Sequence, residues 1–314
     1  MKTFALIGAA GYVAPRHLQA MAGTNNKLVA AMDKFDSVGI LDRFFPEANF
    51  FTEFERFDRF LDKRKREIAP IDFLTVCTPN YLHDSHIRFG LKHGASVICE
   101  KPLVLTPWNA EALKNVETET GKEVFNILQL RLHPDVEKLK SIANLNVNTK
   151  LDLDLTYITP RGKWYHNSWK GDIQKSGGIT TNIGIHFFDL LIWIFGRVKN
   201  NIVHMHSSER AAGFLELEGA RIRWFLSICS NDLPADKREN GNCSFRAVTI
   251  KHQHIEFGNE FENLHQKSYE HILTGKGFKL DEAVPSIELA YLIRNVKPAG
   301  LKGDVHPIAA KIGN

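Results

Sequence analysis

Three short stretches carry residue types able to do chemistry. The first is Glu100-Lys101-Pro102, which follows the apolar run Ser96-Val97-Ile98-Cys99. Pro102 lacks a backbone donor and biases Lys101 toward an extended conformation, so an ammonium is held where a buried strand ends. In open parallel sheets ligands bind beyond the carboxyl ends of the strands, and a lysine there can polarise or deprotonate a bound hydroxyl. The second stretch runs from Gly177-Gly178 through Asn182 and His186 to Asp189. Asn182, His186 and Asp189 fall at i, i+4 and i+7, along one face of a helix whose other positions are mostly apolar. Such a polar stripe points to a site, with His186 able to exchange a proton near neutral pH.

The third stretch, Gly8-Ala9-Ala10-Gly11-Tyr12-Val13-Ala14, directly follows the apolar run Thr3 to Ile7. It is an altered glycine-rich turn. Gly8 permits the tight turn, Ala10 replaces the middle glycine, and Gly11 adds freedom beside it. The backbone through Tyr12 and Val13 then opens a helix whose N-terminus suits a pyrophosphate. About twenty residues on, Asp33 ends the second strand, where a carboxylate accepts hydrogen bonds from an adenosine ribose and repels a 2′-phosphate. NAD is therefore expected over NADP. Thr78-Pro79-Asn80-Tyr81-Leu82-His83 leaves the fourth strand on the nicotinamide side. Thr78, Pro79, Asn80 and His83, together with Glu100 and Lys101, are candidate cofactor contacts, and Asn80 and His83 are equally suited to capping a helix.

The elements that must position these groups can be read from periodicity. Up to about residue 128, short strand patterns (Thr3 to Ile7, Leu28 to Met32, Asn49 to Phe51, Ile71 to Cys77, Ser96 to Cys99, Val124 to Leu128) alternate with helical ones. That alternation is the mark of a parallel sheet built from βαβ units. One helix is started by Thr106 and Pro107, and Gly94 and Gly121 supply stops. After His133, Leu151, Leu153, Leu155 and Tyr157 alternate with Asp152, Asp154 and Thr156, as in a half-buried strand of an antiparallel sheet. Further strands are expected at 201–206, 213–217, 221–229, 244–250 and 254–257, with an apolar helix over 180–195. The expectation is an α/β domain over 1–128 and an α+β domain over 129–314. The last helices, near 263–273 and 286–295, pack on its edge or return to the first domain.

Composition narrows the class. A net charge of +4 over 314 residues is too small and dispersed to imply a nucleic-acid partner. The one dense basic run, Lys63-Arg64-Lys65-Arg66, ends an amphipathic segment and suits a helix C-terminus. The apolar runs Phe4 to Ala10 and Leu190 to Phe195 fall far short of the roughly 20 residues of a bilayer span, and the N-terminus lacks a cleavable signal pattern. Four cysteines without paired spacing fit a reducing cytoplasm. His204/His206 and His252/His254 alternate along strands without carboxylate or cysteine companions at suitable spacing, so no metal is expected.

Taken together, the turn at Gly8, Cys77-Thr78-Pro79-Asn80, Glu100-Lys101-Pro102 and the Gly177 to Asp189 segment resemble the Gfo/Idh/MocA oxidoreductase family over nearly the whole chain. The resemblance implies a Rossmann domain, a substrate domain with an open, mostly antiparallel sheet, and NAD-dependent hydride transfer at a sugar or cyclitol carbinol. Many members carry Asp where this chain has Asn182, and an amide can only orient by hydrogen bonding. Either His186 or Lys101 can take the hydroxyl proton; His186 is assigned as base, with Lys101 polarising the oxygen and Asn182 completing the catalytic set.

Between the strand at Leu151 and the helix with His186 lies a segment rich in cations and aromatics, from Arg161 to Ser176. A neutral polyol does not need that charge, whereas a nucleotide sugar acid brings a diphosphate, a carboxylate and a base. The Trp-Lys-Gly-Asp and Lys-Ser-Gly-Gly elements, the Asn182 to His186 run and Arg223-Trp224-Phe225-Leu226-Ser227 resemble the family branch acting on UDP-N-acetyl-D-glucosaminuronic acid. That branch implies oxidation of the C3′ hydroxyl to a ketone in bacterial lipopolysaccharide O-antigen biosynthesis, 2-oxoglutarate as a hydride acceptor, and a homotetramer or homodimer. Arg161, Lys163, Tyr165, Trp169, Lys175, Asn182 and His186 are the substrate-binding candidates. The competing readings are the same apparatus acting on another sugar or an inositol, and a non-catalytic dinucleotide-sensing regulator. Retention of both Lys101 and His186 argues against the regulator.

Overall fold

The computed structural model describes residues 1–145, 149–239, 244–250, 253–257 and 263–312. These form two compact units, Met1–Leu132 with Phe261–Val284, and His133–Glu260 with Pro285–Asn314.

In the first unit six parallel strands, β1 (Thr3–Ile7), β2 (Lys27–Met32), β3 (Asn49–Phe51), β4 (Phe73–Val76), β5 (Ser96–Cys99) and β6 (Val124–Asn126), are ordered β3-β2-β1-β4-β5-β6. The order reverses between β1 and β4, and this is where a doubly wound sheet opens a crevice for a ligand. All but the edge strand β3 are buried on both faces, which explains why they read as continuous apolar runs. Phe4, Leu6, Leu18, Met21, Phe73, Ile98 and Tyr269 form much of the core, so the helix Leu264–Leu273 contributes to this unit's interior. The helix Pro107–Thr120 starts as expected: the Thr106 hydroxyl accepts the Asn109 N–H, and Gly121 closes it at φ +63°.

The second unit carries a mixed, mostly antiparallel sheet of β7 (Leu151–Ile158), β8 (Val198–His206), β9 (Arg210–Leu217), β10 (Ala220–Ser227), β11 (Phe245–Ile250) and β12 (Gln253–Glu256). Its order is β12-β11-β7-β10-β9-β8, and the central pair β7 and β10 is parallel. On one face Ile222, Trp224 and Leu226 are fully buried, and Trp224 meets Phe188 of the helix Ile185–Phe195 edge to face at 5.4 Å. On the other, Asp152 and Asp154 each take both oxygens to an arginine across the pair, Arg221 and Arg223, at 2.6–2.7 Å. The alternation along β7 thus separates a packed face from a charged one. Helices Asp135–Leu145 and Pro307–Ile312, unmarked in the periodicity, also belong to this unit.

The segment Ile173–Phe195 meets the length and hydropathy of a membrane span, unlike the shorter runs visible in the sequence, yet 67% of its apolar window is buried inside the protein. Gly177 and Gly178, at φ +80° and +73°, interrupt it near its start. It is a core element of this unit.

Candidate active site

The glycine turn is built by close approach. Gly8 has φ +93°, and a Cβ there would stand 2.7–2.8 Å from the backbone of Cys77 and Thr78, so only glycine fits between β1 and the exit of β4. Gly8 and Ala9 donate to Met32 O, and Gly11 donates to Gly8 O. Asp33 has an additional role beyond the one expected: its Oδ2 accepts the Ala10 N–H at 3.0 Å and its Oδ1 accepts the Phe35 N–H at 3.0 Å. The carboxylate therefore pins the turn, and lone pairs remain for a ribose. The Tyr12 and Val13 N–H groups take no acceptor within the turn, and the helix Ala14–Gly23 has no side-chain cap. This is the geometry of an anion site at a helix N-terminus. The Tyr12 ring is exposed, with the Arg16 guanidinium 5.9 Å above it.

The Lys101–Pro102 peptide is cis and Lys101 is half-buried. The ring of His83 holds this turn from below, Nδ1 lying 2.7 Å from Pro102 O and Nε2 2.8 Å from Thr78 O. At 1% exposure His83, expected as a cofactor contact or a helix cap, fastens the two strand exits. Burial pushes its pKa down against the pull of both carbonyls, so the neutral ring donates to one of them. Thr78 is half-buried with its hydroxyl 2.9 Å from His86 Nδ1, Pro79 precedes a single helical turn, and Asn80 within that turn is buried. Glu100, expected beside the cofactor, is buried at 7% exposure and turned toward two histidines, His17 and His265. Neither was marked by the sequence: His17 sits among apolar residues of a helix, and His265 lies 165 residues from Glu100.

In the second unit, residues Thr180–Gly184 form a π-helical turn that runs into the helix Ile185–Phe195. Single π turns recur at functional sites. The widened turn departs from the regular i, i+4 face read from the sequence. From Ile179 to Leu191 all residues are buried except Asn182 and His186, which are half-exposed; Asp189 is buried at 3% and does not share that opening. Asn182 Nδ2 donates to the Tyr165 hydroxyl at 3.1 Å. Tyr165, expected against sugar or base, is 2% exposed and instead orients Asn182.

Around them, Arg161 and Lys163 are exposed and Trp169 is half-buried. Lys175 lies 3.5 Å from Asp172, which caps its short helix, so part of its charge is already answered. Lys170, absent from the expected set, rests beside the rings of Trp164 and Trp169 at 5.3 and 5.7 Å. Burial, and secondarily Arg161, push its pKa down. The unit thus offers a half-exposed histidine and amide, and a cationic segment whose Tyr165 holds that amide, a combination suited to an anionic, hydroxyl-bearing ligand. His204 is buried with neither ring nitrogen partnered among the described residues, and His252 lies outside them.

A parallel sheet of this order, with a glycine turn and an acidic residue at the end of its second strand, defines a dinucleotide-binding domain of the oxidoreductase type. The chain belongs to the Gfo/Idh/MocA family: residues 2–127 match its NAD-binding Rossmann fold and residues 149–233 its C-terminal alpha/beta domain. The WlbA (WbpB) dehydrogenase from Thermus thermophilus, solved with NAD and alpha-ketoglutarate, is 45% identical, with a TM-score of 0.95 over 98% of this chain and 99% of that one. The same enzyme solved with NAD and UDP-GlcNAcA gives a TM-score of 0.94 at the same identity and coverage. The putative oxidoreductase YteT of Bacillus subtilis is 27% identical over 69% of this chain; the match spans 51% of that relative's length. The chain likewise covers 40% of the D-glucoside 3-dehydrogenase of Escherichia coli, at 26% identity over 44% of this chain.

Proposed function

We propose that the protein oxidises the C3′ hydroxyl of UDP-N-acetyl-D-glucosaminuronic acid to the 3-keto sugar, using NAD⁺. The observation that carries this reading is the 45% identity, over nearly the full length of both chains, to the Thermus thermophilus dehydrogenase solved with NAD and UDP-GlcNAcA. The half-exposed His186 and Asn182, and the cations Arg161, Lys163 and Lys170, which have no carboxylate partner among the described residues, support it, because a diphosphate and a carboxylate call for such cations.

Bound NAD⁺ supplies the hydride acceptor. In this reading His186 is the base for the hydroxyl proton, and the Lys101 ammonium is a cation suited to polarising a substrate oxygen. Asn182, fixed by Tyr165, orients the sugar. Gly8, Ala10, Gly11, Tyr12 and Val13 receive the pyrophosphate, and Asp33 receives the ribose. 2-Oxoglutarate is the reading for the acceptor that would take the hydride back together with a proton and leave as a 2-hydroxy acid, supported by the related enzyme's complex with alpha-ketoglutarate. We place the reaction in the cytoplasm, in O-antigen diamino-sugar synthesis, with the protein as a homotetramer.

The test is incubation of purified protein with UDP-N-acetylglucosaminuronate and NAD⁺, with and without 2-oxoglutarate, following the sugar by mass. Loss of two hydrogens establishes the reaction, and dependence on 2-oxoglutarate indicates a resident cofactor recycled in place. Binding of both ligands without any oxidised sugar refutes the reading.

A further inference from the structure

A buried polar chain adjoining Lys101 in the first unit has no part in the chemistry above. His17, on the helix following the glycine turn, and His265, on the helix Leu264–Leu273, both aim Nε2 at one oxygen of Glu100, at 3.0 and 2.9 Å. His17 is 0% exposed and His265 1%. His17 Nδ1 lies 2.9 Å from the Tyr269 hydroxyl, which lies 3.0 Å from the Thr75 hydroxyl. The other oxygen of Glu100 accepts the backbone N–H of Lys101 at 3.3 Å.

Two imidazoles and a carboxylate are also a ligand set for a metal, and their ligating atoms all lie within 4.8 Å of one another. The separations favour hydrogen bonds. Ligands on a tetrahedral zinc at bonds of about 2.0–2.1 Å stand about 3.3 Å apart, whereas about 2.9–3.0 Å is the usual N–H···O distance. Proton order then follows from the end of the chain. His265 Nδ1 is buried without a partner among the described residues, so a proton there would be a stranded donor. His265 therefore donates from Nε2 to Glu100. His17, donating from Nε2, must accept at Nδ1 from the Tyr269 hydroxyl, whose oxygen accepts from Thr75. Every donor points toward Glu100. The two histidine hydrogen bonds hold its carboxyl well below the usual range although burial opposes this, and burial, outweighing the Glu100 hydrogen bond, pushes His17 down. An oriented anion stands one residue before Lys101.

We propose that His17 and His265 are positioning residues for Lys101: by fixing Glu100 as an anion they set the backbone of residue 101 and the place of its ammonium. The proposal deepens the reading of the protein as a sugar dehydrogenase and rests on Lys101 acting at the substrate oxygen. His265→Leu keeps bulk and removes a donor, whereas His265→Gln keeps an N–H able to reach Glu100. The Leu variant lowers kcat by on the order of tenfold to a hundredfold, as expected for a small misplacement of a reacting group. NAD affinity stays within about threefold of wild type, and the Gln variant recovers most of the turnover. Independently of any substrate, the Lys101 amide resonance moves in the Leu variant and returns in the Gln variant, and the His17 and His265 rings each carry an Nε2–H directed at Glu100. If the Leu variant does not fold, His265→Asn, whose shorter amide does not reach Glu100, carries the same readouts, with His265→Gln as the recovering control. Full activity in His265→Leu, an unmoved Lys101 amide, a His265 ring without an Nε2–H, or stoichiometric zinc in the purified protein overturns the proposal. A wild type that oxidises no sugar while the amide and Nε2–H results hold refutes the dehydrogenase reading alone.

Discussion

Replacing Gly8 by alanine separates backbone conformation from close approach. Gly8 and Gly121 both have positive φ, +93° and +63°, but a Cβ at 121 meets nothing within 4 Å while one at 8 meets three backbone atoms at 2.7–2.8 Å. The conformational penalty of an L residue in such a region is about 1–2 kcal/mol at either site. At Gly121 nothing is added. At Gly8 the contacts are with backbone, which cannot rotate away, so the turn must withdraw from Cys77 and loosen the bond from Gly8 N to Met32 O at 2.8 Å. Overpacking of this kind costs a further 1–3 kcal/mol, roughly. Gly8→Ala should therefore lose about 2–5 kcal/mol of stability, against about 1–2 for Gly121→Ala. Because the displaced turn is the one read as receiving pyrophosphate, NAD affinity should fall by at least about tenfold in the first variant and stay unchanged in the second. Urea unfolding and fluorescence titration with NAD measure both. Equal losses of stability in the two variants, or wild-type NAD affinity in Gly8→Ala, refute the account of the turn.

Thr106→Ala removes the hydroxyl that accepts the Asn109 N–H and should cost about 1 kcal/mol, read as a lower urea midpoint with unchanged slope. Tyr165→Phe deletes the acceptor of the Asn182 amide; kcat should fall with little change in stability beyond about 1 kcal/mol, and an unchanged kcat means Tyr165 does not position Asn182. Joint replacement of Arg161 and Lys163 by alanine should raise KM for an anionic sugar in a manner partly masked by salt, and leave NAD binding intact. His306 is buried, accepting the Ile308 N–H at Nδ1 and facing Thr156 with Nε2, and burial lowers its pKa from 6.5 to about 4. The unfolded chain binds this proton first as pH falls, so stability is complete above about pH 6.5 and declines toward pH 4. His306→Gln should flatten that slope, worth about 1.4 kcal/mol per pH unit at most, in urea titrations across the interval.

Local pattern determined a large part of this protein. All the parallel strands but β3 are buried on both faces, and β7 alternates from Leu151 to Leu155, so their side-chain periods are visible without partners. Thr106, Pro107 and Gly121 act within one turn of chain, and the glycine turn and Lys101-Pro102 adjoin the strands that display them. The division into an α/β and an α+β part followed from the change of period after His133. Tertiary structure decided what depends on groups distant in sequence. The parallel pairing of β7 with β10 is a matter of connection, to which alternation is blind. Asp189 shares the expected stripe but not the opening: it is buried at 3% while Asn182 and His186 are half-exposed, which depends on what packs against the helix. His83, Tyr165 and Asp33 were read by their chemistry as ligand contacts, yet much of their bonding capacity is taken up inside the protein, which only the positions of Pro102, Asn182 and Ala10 reveal. The buried anion at Glu100 depends on residues 17 and 265, and no periodicity or motif joins positions that meet only when two helices pack against the end of one strand.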